Sequence, residues 1–113
     1  MDSDGVLVLP DEGDGARVIV CRGEFDRDTL PPPTAALAAA VAHPSSRIII
    51  DVAQVRFADS SMLNALLRAH RTGRLVLAGP LQRQLARLLE MTGASTVLAV
   101  TDGLSTARTA SLG

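Results

Sequence analysis

The apolar run Ile48-Ile49-Ile50, followed by Asp51 and Val52, constrains the fold of this chain more than any other stretch. A strand on the surface of a sheet alternates apolar and polar side chains, whereas consecutive β-branched residues are typical of a strand covered on both faces. Helices packed against a mainly parallel sheet provide that cover. The run therefore predicts an α/β fold in which this strand is buried on both faces.

A hydroxyl-rich motif lies where this strand gives way to a helix. Downstream of it, apolar residues recur at helical spacing and polar residues lie opposite them, so the segment predicts an amphipathic helix. Asp59 or Ser60 then falls at the N-cap, where unpaired backbone N–H groups and the helix dipole favour oxygen and negative charge. One side-chain oxygen is enough for a cap, so the motif has oxygens to spare for another role. The motif is Asp59-Ser60-Ser61, the predicted buried face is Leu63, Leu66, Leu67 and His70, and the polar face is Asn64, Arg68 and Arg71.

Strands and helices are predicted to alternate along the rest of the chain. Two short strands, 6–9 and 17–21, flank a Pro- and Gly-containing turn and should pair antiparallel. Asp28, Thr29 and Pro31-Pro32-Pro33 predict the start of a helix over 34–42, which ends at His43-Pro44. The helix that follows Ser60 is expected to end in a turn at Thr72-Gly73. The pattern then predicts a strand at 74–78 and a helix between Gly79-Pro80 and Thr92-Gly93. A strand at 96–100 and a weak helix at 103–110 are predicted after it. Right-handed crossovers then imply a mixed, mostly parallel sheet of four to five strands with three to four helices.

Length and composition predict one soluble domain spanning residues 1–113. No apolar block approaches the ~20 residues that a membrane-spanning helix needs. The acidic N-terminus, with Asp2, Asp4, Asp11, Glu12 and Asp14, lacks the basic start of a secretory signal. We therefore expect a cytoplasmic protein with no membrane insertion.

Composition also excludes several mechanisms. All 11 basic residues are arginine, and a P-loop, a Schiff-base enzyme and a response-regulator receiver each require lysine. The net charge of −1 and the absence of Trp and Tyr argue against nucleic-acid binding. Cys21 is the only cysteine, so it can form neither an intrachain disulfide nor a zinc cluster, and it is expected in the core.

The sequence contains no set of residues whose spacing suits catalysis. Ser60 and His70 are ten residues apart on one predicted helix, which separates them by about 15 Å and excludes a triad with Asp51. Asp51 and Asp59 could share the carboxyl edge of the sheet, but two carboxylates are too few to predict a metal site. We expect no catalytic residue, no cofactor and no metal.

The order of these elements and motifs resembles the STAS domain, the fold of anti-sigma-factor antagonists, over about residues 6–100. In that family a G-E-L-D-like motif follows the second strand, and here the residues are Gly23-Glu24-Phe25-Asp26. The family then has a helix, a buried strand ending in an aspartate, a loop and a D-S-S-G-L motif, similar to Ile48–Asp51 and Asp59-Ser60-Ser61-Met62-Leu63. One departure stands out: Met62 replaces the family glycine and is expected to narrow access to Ser60.

The resemblance implies a bacterial transcription regulator that works by partner switching. The unmodified antagonist binds an anti-sigma factor that is also a serine kinase, phosphorylation of Ser60 (or, less favoured, Ser61) cancels the binding, and a serine phosphatase resets it. The residues that the resemblance assigns to partner binding are Asp26, Asp51, Asp59, Ser60, Ser61, Met62 and Asn64. Two alternatives remain open at this point: an accessory STAS subunit of an ABC-type lipid transporter, and a STAS scaffold that is not phosphorylated.

Overall fold

The computed structural model describes residues 5–9, 13, 15–28, 31–42 and 47–109, with side chains of 31–34 excepted. The predicted N-cap Thr29 and the helix stop at His43-Pro44 lie outside the described residues, as does most of the predicted turn at 10–15.

In the described part of the chain, five strands form one sheet in the order β1-β2-β3-β4-β5. The strands are β1 (Gly5–Val8), β2 (Ala16–Phe25), β3 (Arg47–Ala58), β4 (Leu75–Ala78) and β5 (Val100–Thr101). β1 pairs with β2 antiparallel, and the other three pairings are parallel. The predicted mixed, mostly parallel sheet is confirmed, including its antiparallel start.

The described residues also form four helices that cover the sheet: α1 (Pro31–Ala42), α2 (Ser60–His70), α3 (Arg83–Thr92) and α4 (Leu104–Thr109), with a short 3₁₀ turn at Ala94–Thr96. Ile48 and Ile50 pack into the larger core cluster with residues of α1, α2 and α3. Ile49 faces the other way, into a smaller cluster that contains Ala107 of α4. The prediction of a strand buried on both faces is confirmed, because all three isoleucines are at most 1% exposed.

Several boundaries differ from the predictions. β3 does not end at Asp51 but continues to Ala58, and β2 continues to Phe25, because the two strands go on pairing with each other through two register shifts. The predicted strand at 96–100 shrinks to Val100–Thr101, because Gly93 adopts the left-handed region at φ 79° and a 3₁₀ turn follows it. The third helix begins at Arg83, three residues after Pro80.

The buried face of α2 is also shifted from the predicted one. Leu63 and Leu66 are buried as predicted, whereas Leu67 and His70 are only half-buried. The rest of the face is supplied by smaller or unpredicted residues, namely Met62, Ala65 and Ala69. None of the helices in the described part has the length and apolar content to cross a bilayer.

Candidate functional site

The start of α2 is held in place by Asp59. Its carboxylate oxygen Oδ1 accepts hydrogen bonds from the backbone N–H groups of Ser61 at 2.8 Å and Met62 at 3.3 Å. Its own backbone N–H donates to the carbonyl oxygen of Phe25 at 3.1 Å. Asp59 is therefore the N-cap, and it ties the first turn of α2 to the end of β2. Carboxylate caps of this kind contribute about 1 kcal/mol to helix stability.

The two serines have different environments. Ser60 is the first residue of α2 and its side chain is exposed, whereas Ser61 is half-buried. Asn64 and Arg68 follow Ser60 at intervals of four residues, so they share its side of the helix. Both are exposed. Ser61 is in phase with Ala65, which is 6% exposed. Only Ser60 thus lies on a polar stripe that a second protein could reach.

Met62 does not obstruct Ser60, contrary to the expectation from sequence. It is 1% exposed and belongs to the core cluster beneath α2. A residue two positions along the helix projects about 200° away, so its side chain extends into the core on the side opposite Ser60. Met62 is accordingly not a surface contact in this structure, although it was assigned to the partner-binding set.

Of the three aspartates in the predicted set, Asp26 and Asp59 lie near each other and Asp51 lies apart. Asp26 follows Phe25 and therefore lies beside the α2 start, where its Oδ1 accepts from the N–H of Asp28 at 2.9 Å. Asp51 lies in the middle of β3, where its Oδ1 accepts from the N–H of Ala53 at 3.0 Å. At about 3.3 Å per strand residue, the eight positions between Asp51 and Asp59 correspond to about 26 Å. The shared carboxyl-edge site that was considered for these two residues does not form, because β3 continues past Asp51.

Two glutamines that the sequence did not single out organise the end of β3. β4 ends at Ala78, opposite Asp51, so the later residues of β3 have no strand partner on that side. The Gln84 side chain takes the place of a strand: its Oε1 accepts from the N–H of Ala58, and its Nε2 donates to the carbonyl of Ala58, both at 2.8 Å. Gln82 Nε2 donates to the carbonyl of Ala53 at 3.1 Å. The signal available in the sequence was the pair of amides at the start of a helix after a short strand.

Phe57 is the second residue that sequence reasoning missed. It is 40% exposed, close to the start of α2, and lies opposite Glu24 in the pairing of β2 with β3. An exposed aromatic side chain beside a polar stripe is a common anchor in protein interfaces. Strict alternation would place Phe57 on the same face as the buried Val55, so its exposure follows from the register shift between Val55 and Phe57 and not from a local sequence pattern.

Cys21 is buried, as predicted, and burial lowers the reactivity of its thiol. Burial raises the pKa of its thiol to about 12, and the nearby carboxylate of Asp51 adds to the effect. A thiol of this kind remains protonated near neutral pH and is a poor nucleophile. Within the described residues, no three His, Cys, Asp or Glu side chains are grouped to hold a metal ion.

The chain is similar to several known proteins. The family described as "Mlab, STAS domain" matches residues 8–101. An anti-sigma factor antagonist from Mycobacterium paratuberculosis has 24% sequence identity and a TM-score of 0.81, covering 96% of this chain and 95% of its own. A STAS domain protein from Planctomyces limnophilus has 16% identity and a TM-score of 0.76, covering 96% and 98%.

A third similar structure is the Bacillus cell fate determinant SpoIIAA in its phosphorylated form, with 19% identity, a TM-score of 0.64, and coverage of 86% of this chain and 91% of that one. The same protein is also known in an unphosphorylated form. A comparison with curated proteins gave no match. At these identities the structural likeness establishes the fold, and function must be argued from the site itself.

Proposed function

The chain belongs to the STAS domain family, and from this premise we propose that it is an anti-sigma-factor antagonist whose binding to a serine-kinase anti-sigma factor is switched off by phosphorylation of Ser60. The observation that carries the proposal is the exposure of Ser60 at the first position of α2, in phase with the exposed residues Asn64 and Arg68. Structures of antagonists with this fold, one of them in a phosphorylated form, support it.

A phosphoryl group on Ser60 would act on the partner more than on the fold. It adds about −1.5 to −2 charge at pH 7. The N-terminal turn of a helix tolerates negative charge, since its dipole and free N–H groups favour anions. Asp59 and Asp26 already make this surface acidic, so the added charge concentrates repulsion where the partner docks. A partner that presents carboxylates or a tightly packed apolar contact there would dissociate.

The docking surface that fits this proposal is centred on the α2 start. Ser60 and Asn64 provide its polar stripe, Phe57 an exposed aromatic contact, and Asp26 and Asp59 its acidic rim. Ser61 contributes through the first turn of the helix. Met62 acts indirectly, by supporting α2 from the core, and Asp51 is too distant to share the same contact.

The protein acts by binding and performs no catalysis in this proposal. The complex sequesters the kinase and frees the sigma factor, so transcription in a bacterial cytoplasm responds to the phosphorylation state of Ser60. A serine phosphatase would return the modified protein to the binding form. Purified protein is expected to hydrolyse neither esters nor nucleotides.

The test uses a serine-kinase anti-sigma factor from the same genome as the purified probe. Calorimetry should show binding of the wild type and of Ser60→Ala, and loss of binding for Ser60→Asp. Mass spectrometry after incubation with the kinase and ATP should locate phosphate on Ser60 in the wild type and in Ser61→Ala. The melting temperature of Ser60→Asp should remain within ~2 °C of the wild type, because charge at a helix start is not destabilising.

Ser61→Asp is the matched control for this test. Its side chain is half-buried, so the variant should lose stability while Ser60→Asp does not. Equal affinity of the kinase for the wild type and Ser60→Asp would remove Ser60 as the switch. That result would favour an accessory subunit of an ABC-type lipid transporter, which needs no phosphorylatable serine, or an unphosphorylated scaffold.

A further inference from the structure

A cavity of about 270 Å³ opens between α1 and α2, away from the first turn of α2. Five of its six lining residues are apolar, and the sixth is an arginine. From α1 the lining residues are Leu37, Ala38 and Val41, and from α2 they are Ala65, Arg68 and Ala69. Each helix contributes one turn of its surface, so the slot is about 6 Å long on each wall.

The slot exists because small side chains face each other across it. Ala38, Ala65 and Ala69 are too short to fill the space between the two helices. The end of α1 is also held in place, since Arg74 Nη2 donates to the carbonyl of Val41 at 2.9 Å. The gap is thus a feature of two anchored helices.

The size and lining of this cavity suit an apolar guest. Protein interiors contain few voids larger than one water molecule. The slot is partly open to solvent, because Ala38, Val41 and Arg68 of its lining are exposed, and ligand pockets begin near ~300 Å³. A space of about 270 Å³ with five apolar walls is therefore large enough for a short hydrocarbon segment, and it offers no polar partners for water beyond one side chain.

The single charge in the lining is positive. Arg68 is exposed, and its side chain makes no hydrogen bond or ion pair with the residues that the structure describes. α1 contains no charged residue, its sequence being PPPTAALAAAVA. Arg68 belongs to the lining of the slot, and a guanidinium can pair with a carboxylate through two parallel hydrogen bonds.

We propose that the slot between α1 and α2 binds a medium-chain fatty acid, with the carboxylate on Arg68, the adjoining part of the alkyl chain between Ala38, Val41 and Ala69, and the rest of the chain extending past the slot. The occupant is argued from the combination of one guanidinium with an otherwise apolar lining, which matches an amphiphile with one anionic end. The slot is lined by neither Ser60 nor Asn64, and it shares only Arg68 with the polar stripe that contains them.

The test is a titration with decanoate, monitored by amide chemical shifts and by calorimetry. Saturable binding of one molecule is expected, with shifts grouped on α1 and α2. Decanol, which has the same tail without the charge, should bind about tenfold more weakly, the order expected when a charge-assisted hydrogen bond is lost. Arg68→Gln should reduce decanoate affinity to that of decanol, and Arg71→Gln, three residues along and exposed, should leave it unchanged.

Ala38→Trp and Ala39→Trp form the matched pair for the slot. Both alanines are exposed on α1, but only Ala38 lines the cavity. The Ala38 variant should lose decanoate binding, and the Ala39 variant should keep it. If the larger side chain disturbs α1, as thermal melting would reveal, Ala38→Leu fills the slot with less strain and should weaken binding likewise. Non-saturable shifts, equal affinity in the two tryptophan variants, or no preference for decanoate over decanol would overturn the proposal.

Discussion

The two halves of β3 satisfy the same backbone by different means. From Ile48 to Asp51 the strand pairs with β2 on one side and with β4 on the other. From Val52 to Ala58 it pairs only with β2. On the open side, side chains of Gln82 and Gln84 provide the hydrogen bonds that β4 provides earlier.

The two halves of β3 also differ in how many of their side chains are exposed. A strand enclosed by two neighbours and covered by helices has no exposed side chain, and the isoleucines of the first half are buried. In the second half, Gln54, Arg56 and Phe57 are exposed while Val52, Val55 and Ala58 remain buried. The two glutamine side chains bond to the backbone on the side where β4 is absent, and several side chains of this half are exposed just before α2 begins.

The largest expected effect belongs to the enclosed half. Ile50→Ala should lower the free energy of unfolding by about 3–4 kcal/mol, because it removes a fully buried side chain and leaves a cavity. Gln54→Ala, in the open half and exposed, is the control and should change it by less than ~0.5 kcal/mol. Denaturant unfolding measures both. Similar losses in the two variants would mean that the halves do not differ in packing.

Gln84→Ala tests whether a side chain replaces a strand. Ala58 is 0% exposed, so the variant leaves its N–H and carbonyl without partners, and we expect a loss of about 2 kcal/mol. Gln82→Ala removes one exposed hydrogen bond and should cost less than ~1 kcal/mol. Hydrogen exchange should show faster exchange of the Ala58 amide in Gln84→Ala only. An unchanged exchange rate there would refute the replacement.

The smallest expected effect is a loss of stability at alkaline pH that arises from Cys21, where the two halves of β3 meet. Cys21 lies at the register shift opposite the residues after Asp51, and burial raises the pKa of its thiol from 9.0 to about 12. Between these pH values the unfolded chain ionises its thiol while the folded chain does not. The unfolded state therefore binds fewer protons, and the free energy of unfolding should fall as pH rises, by up to ~1.4 kcal/mol per pH unit.

The composition of the chain allows the ionisation of Cys21 to be measured without overlap from other side chains. The chain has no lysine and no tyrosine, and arginine titrates above ~12. Cys21 is thus the one side chain expected to titrate between pH 9 and 12. Urea unfolding of Cys21→Ala at pH 8 and pH 10 should show no such fall, whereas the wild type should lose about 1.4 kcal/mol by pH 10. An equal fall in both proteins would place the alkaline sensitivity elsewhere.

Local patterns were enough to predict the order of the strands and helices. The run at Ile48 to Ile50 indicated a strand buried on both faces because apolar residues at consecutive positions can be satisfied in no other way in a sheet. The position of Ser60 followed from helical phase, and its exposure agrees with that reasoning. The expectation that Met62 narrows access to Ser60 was wrong, because it depends on which residues lie beneath the helix. The expectation that the strand ends at Asp51 was wrong, because it depends on how far the neighbouring strand β2 extends.

What the sequence by itself determined is therefore the order of strands and helices, the helix N-cap at Asp59 or Ser60, and the outward phase of Ser60, because each depends on residues within a turn or two of one another. The tertiary structure alone decided that β3 continues to Ala58 and that Met62 is buried in the core. It also decided that the Gln84 side chain bonds to the backbone of Ala58, which is 26 positions away in sequence. It also decided that alanines of α1 and α2 face each other across a slot. These features arise from contacts between distant segments, whose distances no local periodicity encodes.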